Sequence, residues 1–204
     1  MLSIFKSALN QVTDTDESLV GHKIQISPII ENLICDLVDE VGVESCTIDT
    51  IRKPHTHLIE TAKKNIDHIG KLRGRPLYHN YIGTGAGRGP FVELEDGSVK
   101  LDLINGIGIN IMGHSHPRIM KAAVRGALSD VIIQGNLQPN TEYVRLIERL
   151  VQIGGRKSKI KHAWLSTCGT MANENALKMA RQKNSPAKFI FAMKNAFAGR
   201  STMM

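Results

Sequence analysis

At 204 residues, with 42% hydrophobic and 22% charged residues, the chain has the composition of a folded globular protein rather than a disordered one. At roughly 100–200 residues per domain, its length allows one domain, or one with an appendage, and excludes a large two-domain enzyme. The net charge of +7 is spread over short groups such as Lys71-Leu72-Arg73-Gly74-Arg75, and aromatics are only 4% of the chain, so these groups read as solvated faces and no nucleic-acid partner is expected.

Residues 1–11 lack the charged start, apolar middle and cleavage site of a signal peptide, and no apolar run reaches the roughly 18 residues of a membrane span. A cytoplasmic protein with no membrane partner is therefore expected. The first 75 residues read as a helical N-terminal extension. Its clearest element starts at Ser27-Pro28, a cap followed by proline, and carries the stripe Ile29, Ile30, Leu33, Ile34, Leu37, Val38 and Val41 up to a stop at Gly42. A second helix carries Leu58, Ile59, Ala62, Ile66 and Ile69. His55, His57 and His68 around it form no matched ligand set, so surface histidines are expected and no metal.

Residues 76–135 read as a small region with a β-hairpin. Gly83-Thr84-Gly85-Ala86-Gly87-Arg88-Gly89 fails both phosphate-loop templates: a dinucleotide fingerprint needs glycine where Arg88 or Pro90 stands, and no Gly-Lys-Ser/Thr occurs. A flexible connector is expected there. Phe91–Leu94 and residues 99–103 flank Glu95-Asp96-Gly97-Ser98, the punctuation of a hairpin. His116-Pro117 opens a helix with the stripe Ile119, Met120, Ala123, Val124, Ala127 and Leu128. Another helix begins after Asn140 and stops at Gly154.

Residues 136–204 read as an α/β domain. Residues 163–166 and 188–193 are expected to be strands that pair in parallel across a helix at 170–182. The junction Ser166-Thr167-Cys168-Gly169-Thr170 then brings free backbone N–H groups, the positive end of a helix and two hydroxyls to one place, which suits a phosphate. A capped helix without a ligand explains the same pattern. The three cysteines have no C-x-x-C spacing, so reduced thiols are expected, with Cys168 a plain buried one.

Three stretches in this order closely resemble the class III pyridoxal-phosphate aminotransferases, the family of acetylornithine, ornithine and 4-aminobutyrate aminotransferases. They are Gly106 to Pro117 with its Gly-His-Ser-His-Pro end, Cys168-Gly169-Thr170-Met171-Ala172-Asn173-Glu174 and the helix after it, and Lys194-Asn195-Ala196-Phe197-Ala198-Gly199-Arg200. The resemblance runs from about Tyr81 onward. It implies a fold type I transferase, with a small N-terminal region and an incomplete large domain, that moves an amino group from an amino-acid or ω-amino donor to a 2-oxo acid. It also implies a homodimer for the complete protein.

Carried over, the resemblance puts Cys168, Gly169 and Thr170 on the phosphate of pyridoxal 5′-phosphate. It puts Phe197 on the ring face, Arg200 on a substrate carboxylate and Gly135-Asn136 near the substrate mouth. An aromatic plane suits stacking, and a planar guanidinium suits a carboxylate. Cys168 stands where serine is usual, Ala198 where histidine is common and Met171 where an acidic residue is frequent. The family's Schiff-base lysine and pyridine-nitrogen aspartate fall beyond Met204, and neither Lys178 nor Lys194 matches that lysine. No catalytic residue is therefore expected in this chain, which is expected to be a truncated and inactive piece. The competing expectation is a non-catalytic anion-binding or protein-interaction module that uses the stripe of the Ser27 helix.

Overall fold

The computed structural model describes residues 19–129 and 138–201. The chain divides between residues 131 and 132 into two compact units, and the strands among the described residues all lie in the first.

The first unit begins with helices α1 (Val20–Ile26), α2 (Pro28–Glu44) and α3 (Thr56–Leu72). Ser27 caps α2 as its sequence demands, its hydroxyl accepting from Ile30 N at 3.4 Å with Pro28 in the first turn. The helix does not stop at Gly42. It continues through that residue to Glu44, because nothing forces Gly42 into a left-handed conformation and the last turn closes instead on the Ser45 N–H. Of the expected stripe, Ile34 and Val38 are buried, while Ile29, Leu33 and Leu37 face outward. The core comprises Ile34, Val38, Ile48, Ala62 and Val99.

A three-stranded antiparallel sheet follows: β1 (Gly83–Arg88), β2 (Phe91–Leu94) and β3 (Val99–Leu101), in that spatial order. The β2–β3 hairpin forms as expected, with Val92 opposite Lys100. Its turn is fixed by Gly97 at φ +76° and by the Asp96 carboxylate, which accepts from Ser98 N at 2.9 Å and Ser98 Oγ at 2.6 Å. The glycine run is not a connector. It is β1, paired with β2 through an irregular register between Gly83 and Gly87. A Cβ on Gly87 would lie 2.9 Å from both His114 Cβ and Phe91 O, so glycine is what lets the strand approach so closely.

The N-terminal extension is tied to this sheet. Arg52 exchanges backbone hydrogen bonds with Val99 at 3.1 and 3.2 Å, and its side chain reaches Glu93 Oε1 at 2.7 Å and Gly97 O at 2.9 Å. Beyond the sheet, helix α4 (Pro117–Ala127) opens at His116-Pro117 as its sequence predicts.

In the second unit, helix α5 (Thr141–Gly154) is capped by Asn140 Oδ1, which accepts from Tyr143 N at 2.8 Å. Helix α6 spans Gly169–Lys183. The strands expected at 163–166 and 188–193 are not formed: both segments run without a ladder, and Phe191 is 98% exposed. A strand exists only through the neighbour that takes its N–H and C=O groups. Neither segment is part of a strand ladder, so the parallel α/β sheet is absent among the described residues.

Candidate functional site

The site is built on the start of α6. Cys168 is its N-cap, in extended conformation at φ −163° and ψ 170°. The first intrahelical bond runs from Ala172 N to Cys168 O at 3.0 Å, so the N–H groups of Gly169, Thr170 and Met171 precede the helical ladder. A Cβ added to Gly169 would meet nothing within 4 Å, which leaves the approach to these donors open.

The chain returns to this turn 25 residues later. Asn173 Nδ2 donates to Ala198 O at 2.7 Å. Gly199 lies so close to Thr170 that a Cβ on it would sit 2.5 Å from Thr170 Cγ2 and 2.8 Å from its Oγ1, and its φ of +148° is one that side-chain-bearing residues rarely adopt. The flanking Phe197 and Arg200 are thereby brought to the same end of α6. Arg200 Cζ lies 5.6 Å from the Phe197 ring centroid, and the phenyl ring is 76% exposed. Ser201 Oγ, two residues beyond Gly199, is buried without a hydrogen-bond partner among the described residues.

Cys168 corrects one expectation, because it is exposed rather than buried. The N–H of Met171 holds its thiol below the ordinary value; burial opposes this, and the Thr170 N–H with the hydroxyls of Thr167 and Thr170 add to it. The sulfur therefore senses a field that favours negative charge, as the end of a helix should provide. That thiol, the two hydroxyls, the first-turn amides and the open space at Gly169 form a donor set that fits the phosphate of the expected cofactor.

The sequence-derived residues Cys168, Gly169, Thr170, Phe197 and Arg200 thus fall in one neighbourhood, and Asn136, with Gly135, lies outside the described residues. Asn173 and Gly199, which hold the two segments together, were missed as site residues because no local pattern links positions so far apart. A second polar pair was missed in the first unit. His114 Nε2 and Asp102 Oδ2 are 2.8 Å apart, and the other Asp102 oxygen accepts from Ile104 N and Asn105 N, both at 2.9 Å. The His114 hydrogen bond chiefly holds the Asp102 carboxyl below its ordinary value. Among the described residues no histidine, cysteine or carboxylate cluster could hold a metal, and no helix is long and apolar enough to cross a membrane.

Residues 76–204 match the family described as aminotransferase class-III. A protein of Pyrococcus abyssi described as a LysW-aminoadipate semialdehyde/glutamate semialdehyde transaminase is 34% identical over 125 residues, covering 61% of this chain and 33% of that protein. The acetylornithine aminotransferase of Methanocaldococcus jannaschii is 33% identical over 120 residues, covering 56% and 29%. That of Streptomyces coelicolor is 33% identical over 132 residues, covering 61% and 31%. The chain spans about a third of the length of these relatives. No solved structure matches.

Proposed function

Because the chain belongs to the class III aminotransferases, we propose that its second unit supplies the phosphate-holding and ring-stacking part of a pyridoxal 5′-phosphate site. The parent reaction is transfer of an amino group from an amino-acid or ω-amino donor to a 2-oxo acid. The observation that carries this reading is the return of the Phe197–Arg200 segment to the first turn of α6, through the Asn173–Ala198 bond and the Gly199–Thr170 contact.

The roles follow from chemistry. The N–H groups of Gly169 and Thr170 and the Thr170 hydroxyl hold the phosphate dianion, where the helix end favours negative charge. Phe197 orients the ring by stacking on its face. Arg200 takes a substrate carboxylate with its planar fork of donors, and Asn136 belongs near the substrate mouth. Once bound, the cofactor supplies the electron-accepting ring on which proton and amino-group transfer depend. Binding and orientation are the tasks of this chain's own residues, and no proton-moving role falls on Lys178 or Lys194. The reading extends to a fold type I large domain, a homodimer and a cytoplasmic location for the whole protein.

Titration of the chain with 4′-deoxypyridoxine 5′-phosphate tests the site, because that analogue lacks the aldehyde that would react with surface lysines. The sole tryptophan, Trp164, is 65% exposed in the same unit and serves as a fluorescence reporter. Saturable quenching that weakens in Thr170→Val and Phe197→Ala is expected. Absence of saturation, or equal binding by both variants, would favour the interaction-module reading.

A further inference from the structure

A second polar cluster lies in the first unit, where α2 of the extension packs on α4. Lys121 Nζ is 3.0 Å from Cys35 Sγ, and that sulfur is 3.7 Å from Glu31 Oε1. Glu31 is in turn paired with Arg125, one turn along α4 from Lys121. Cys35 and Lys121 are both half-buried, so the pair is held by packing yet open to small solutes. Cys46 and Cys168, the other free thiols, are exposed.

We propose that Cys35 and Lys121 form an oxidation-dependent cross-link, an S–N bond between Sγ and Nζ, with a peroxide as the oxidant. In the first step the thiol sulfur loses two electrons to hydrogen peroxide, giving a sulfenic acid and one water. In the second, the lysine nitrogen attacks that sulfur. The S–N bond forms, the S–O bond breaks, and the departing hydroxide takes the amine proton as a second water. The sum is R–SH + R′–NH₂ + H₂O₂ → R–S–NH–R′ + 2 H₂O.

The geometry favours both steps. The sulfur is half-buried yet within reach of a small oxidant, and the lysine nitrogen 3.0 Å away is already placed for the second step. The hydrogen bond to Cys35 holds the Lys121 ammonium above its ordinary value; burial opposes this, and the Cys35 and Asp39 charges add to it. The Lys121 ammonium gives one proton to water before its nitrogen attacks, and oxidation of the sulfur removes the hydrogen-bond partner that chiefly raises its pKa. A nitrogen already within hydrogen-bond distance then captures the sulfenic acid before a second peroxide does. The link would staple α2, outside the family match, to α4, inside it, and so fasten the extension to the aminotransferase region.

The test is mild peroxide treatment of the full chain, followed by intact-mass and peptide mass spectrometry with and without dithiothreitol. The expected product has lost two hydrogens, joins the peptides of Cys35 and Lys121, and is undone by the thiol. It is absent from Cys35→Ser and from Lys121→Arg, whose fold is checked by circular dichroism. In Lys121→Arg, dimedone should trap the sulfenic acid that wild type consumes. A measurement on wild type alone is independent of these variants: tryptic cleavage after Arg73 should leave the two pieces joined only in the oxidised sample. Equal dimedone trapping in wild type and Lys121→Arg would overturn the proposal. So would links spread evenly over the three cysteines, or oxidation of Cys35 straight to sulfinic acid.

Discussion

One methyl group, placed at two glycines of the first unit, should have opposite effects. At Gly42, inside α2, a Cβ would meet nothing within 4 Å, so alanine gains only the usual helix-propensity difference of about 0.5–1 kcal/mol. At Gly87, in β1, the same Cβ would lie 2.9 Å from His114 Cβ and 2.9 Å from Phe91 O. Carbon–carbon contacts relax to about 3.5–4.0 Å, and one of the two neighbours is backbone, so Gly87→Ala should cost about 1–3 kcal/mol as overpacking. For a unit near 100 residues each kcal/mol moves the midpoint by about 4–8 °C. Calorimetry should therefore show the first transition raised by a few degrees in Gly42→Ala, and lowered by about 4–24 °C in Gly87→Ala. The pair discriminates between a strand and a connector. In a loop free to adopt many conformations, Gly87→Ala would restrict the unfolded chain and stabilise, if anything. A neutral or positive shift for Gly87→Ala refutes the close approach of β1 to His114.

Three further outcomes are expected. Thr170→Val should weaken binding of the deoxypyridoxine phosphate about ten- to a hundredfold in the fluorescence titration, since a hydrogen bond to a charged group contributes about 1.5–3 kcal/mol. Asp102 has a depressed folded pKa, so its contribution to stability is present above the ordinary carboxylate value of 3.8 and is lost as pH falls through the lower folded value. Asp102→Asn should accordingly flatten the acid limb of urea midpoints measured from neutral pH downward, and an unchanged acid limb would dismiss the His114–Asp102 pair as a stabilising contact. Cys168 should be alkylated at lower pH than an ordinary thiol, and saturating inorganic phosphate should slow that alkylation, because thiolate and phosphate draw on the same amides.

What the sequence discloses tracks how local the determinants are. The starts of α2 and α5 are legible because Ser27 and Asn140 each satisfy a donor three residues on, and the β2–β3 turn because Asp96 and Gly97 carry its chemistry within four positions. The strand β1 is illegible because its glycines show no alternation of apolar and polar residues. It pairs with β2 through an irregular register, and just past its end Gly89 shares a backbone bridge with His114, 25 positions away. Residues 188–193 fail in the opposite sense: their apolar run satisfies a strand's composition, but among the described residues no strand pairs with it. The candidate site divides along the same line. Its helix end can be read from Cys168-Gly169-Thr170 alone, whereas Asn173 and Gly199 matter only through a contact that folding creates.

That division also explains how the site can tolerate an unusual cap. Most of the proposed phosphate donors are main-chain N–H groups, whose direction is set by α6 and not by side-chain identity. Cysteine at position 168 removes one hydroxyl donor yet leaves those amides in place, and the Met171 N–H chiefly holds its thiol below the ordinary value. The structural demands fall instead on residues that position the returning segment. Gly199 needs its missing side chain to pass Thr170, and Asn173 needs its amide to hold Ala198. Substitutions at the cap should therefore tune affinity, while substitutions at Gly199 should separate Phe197 and Arg200 from the phosphate end of the site.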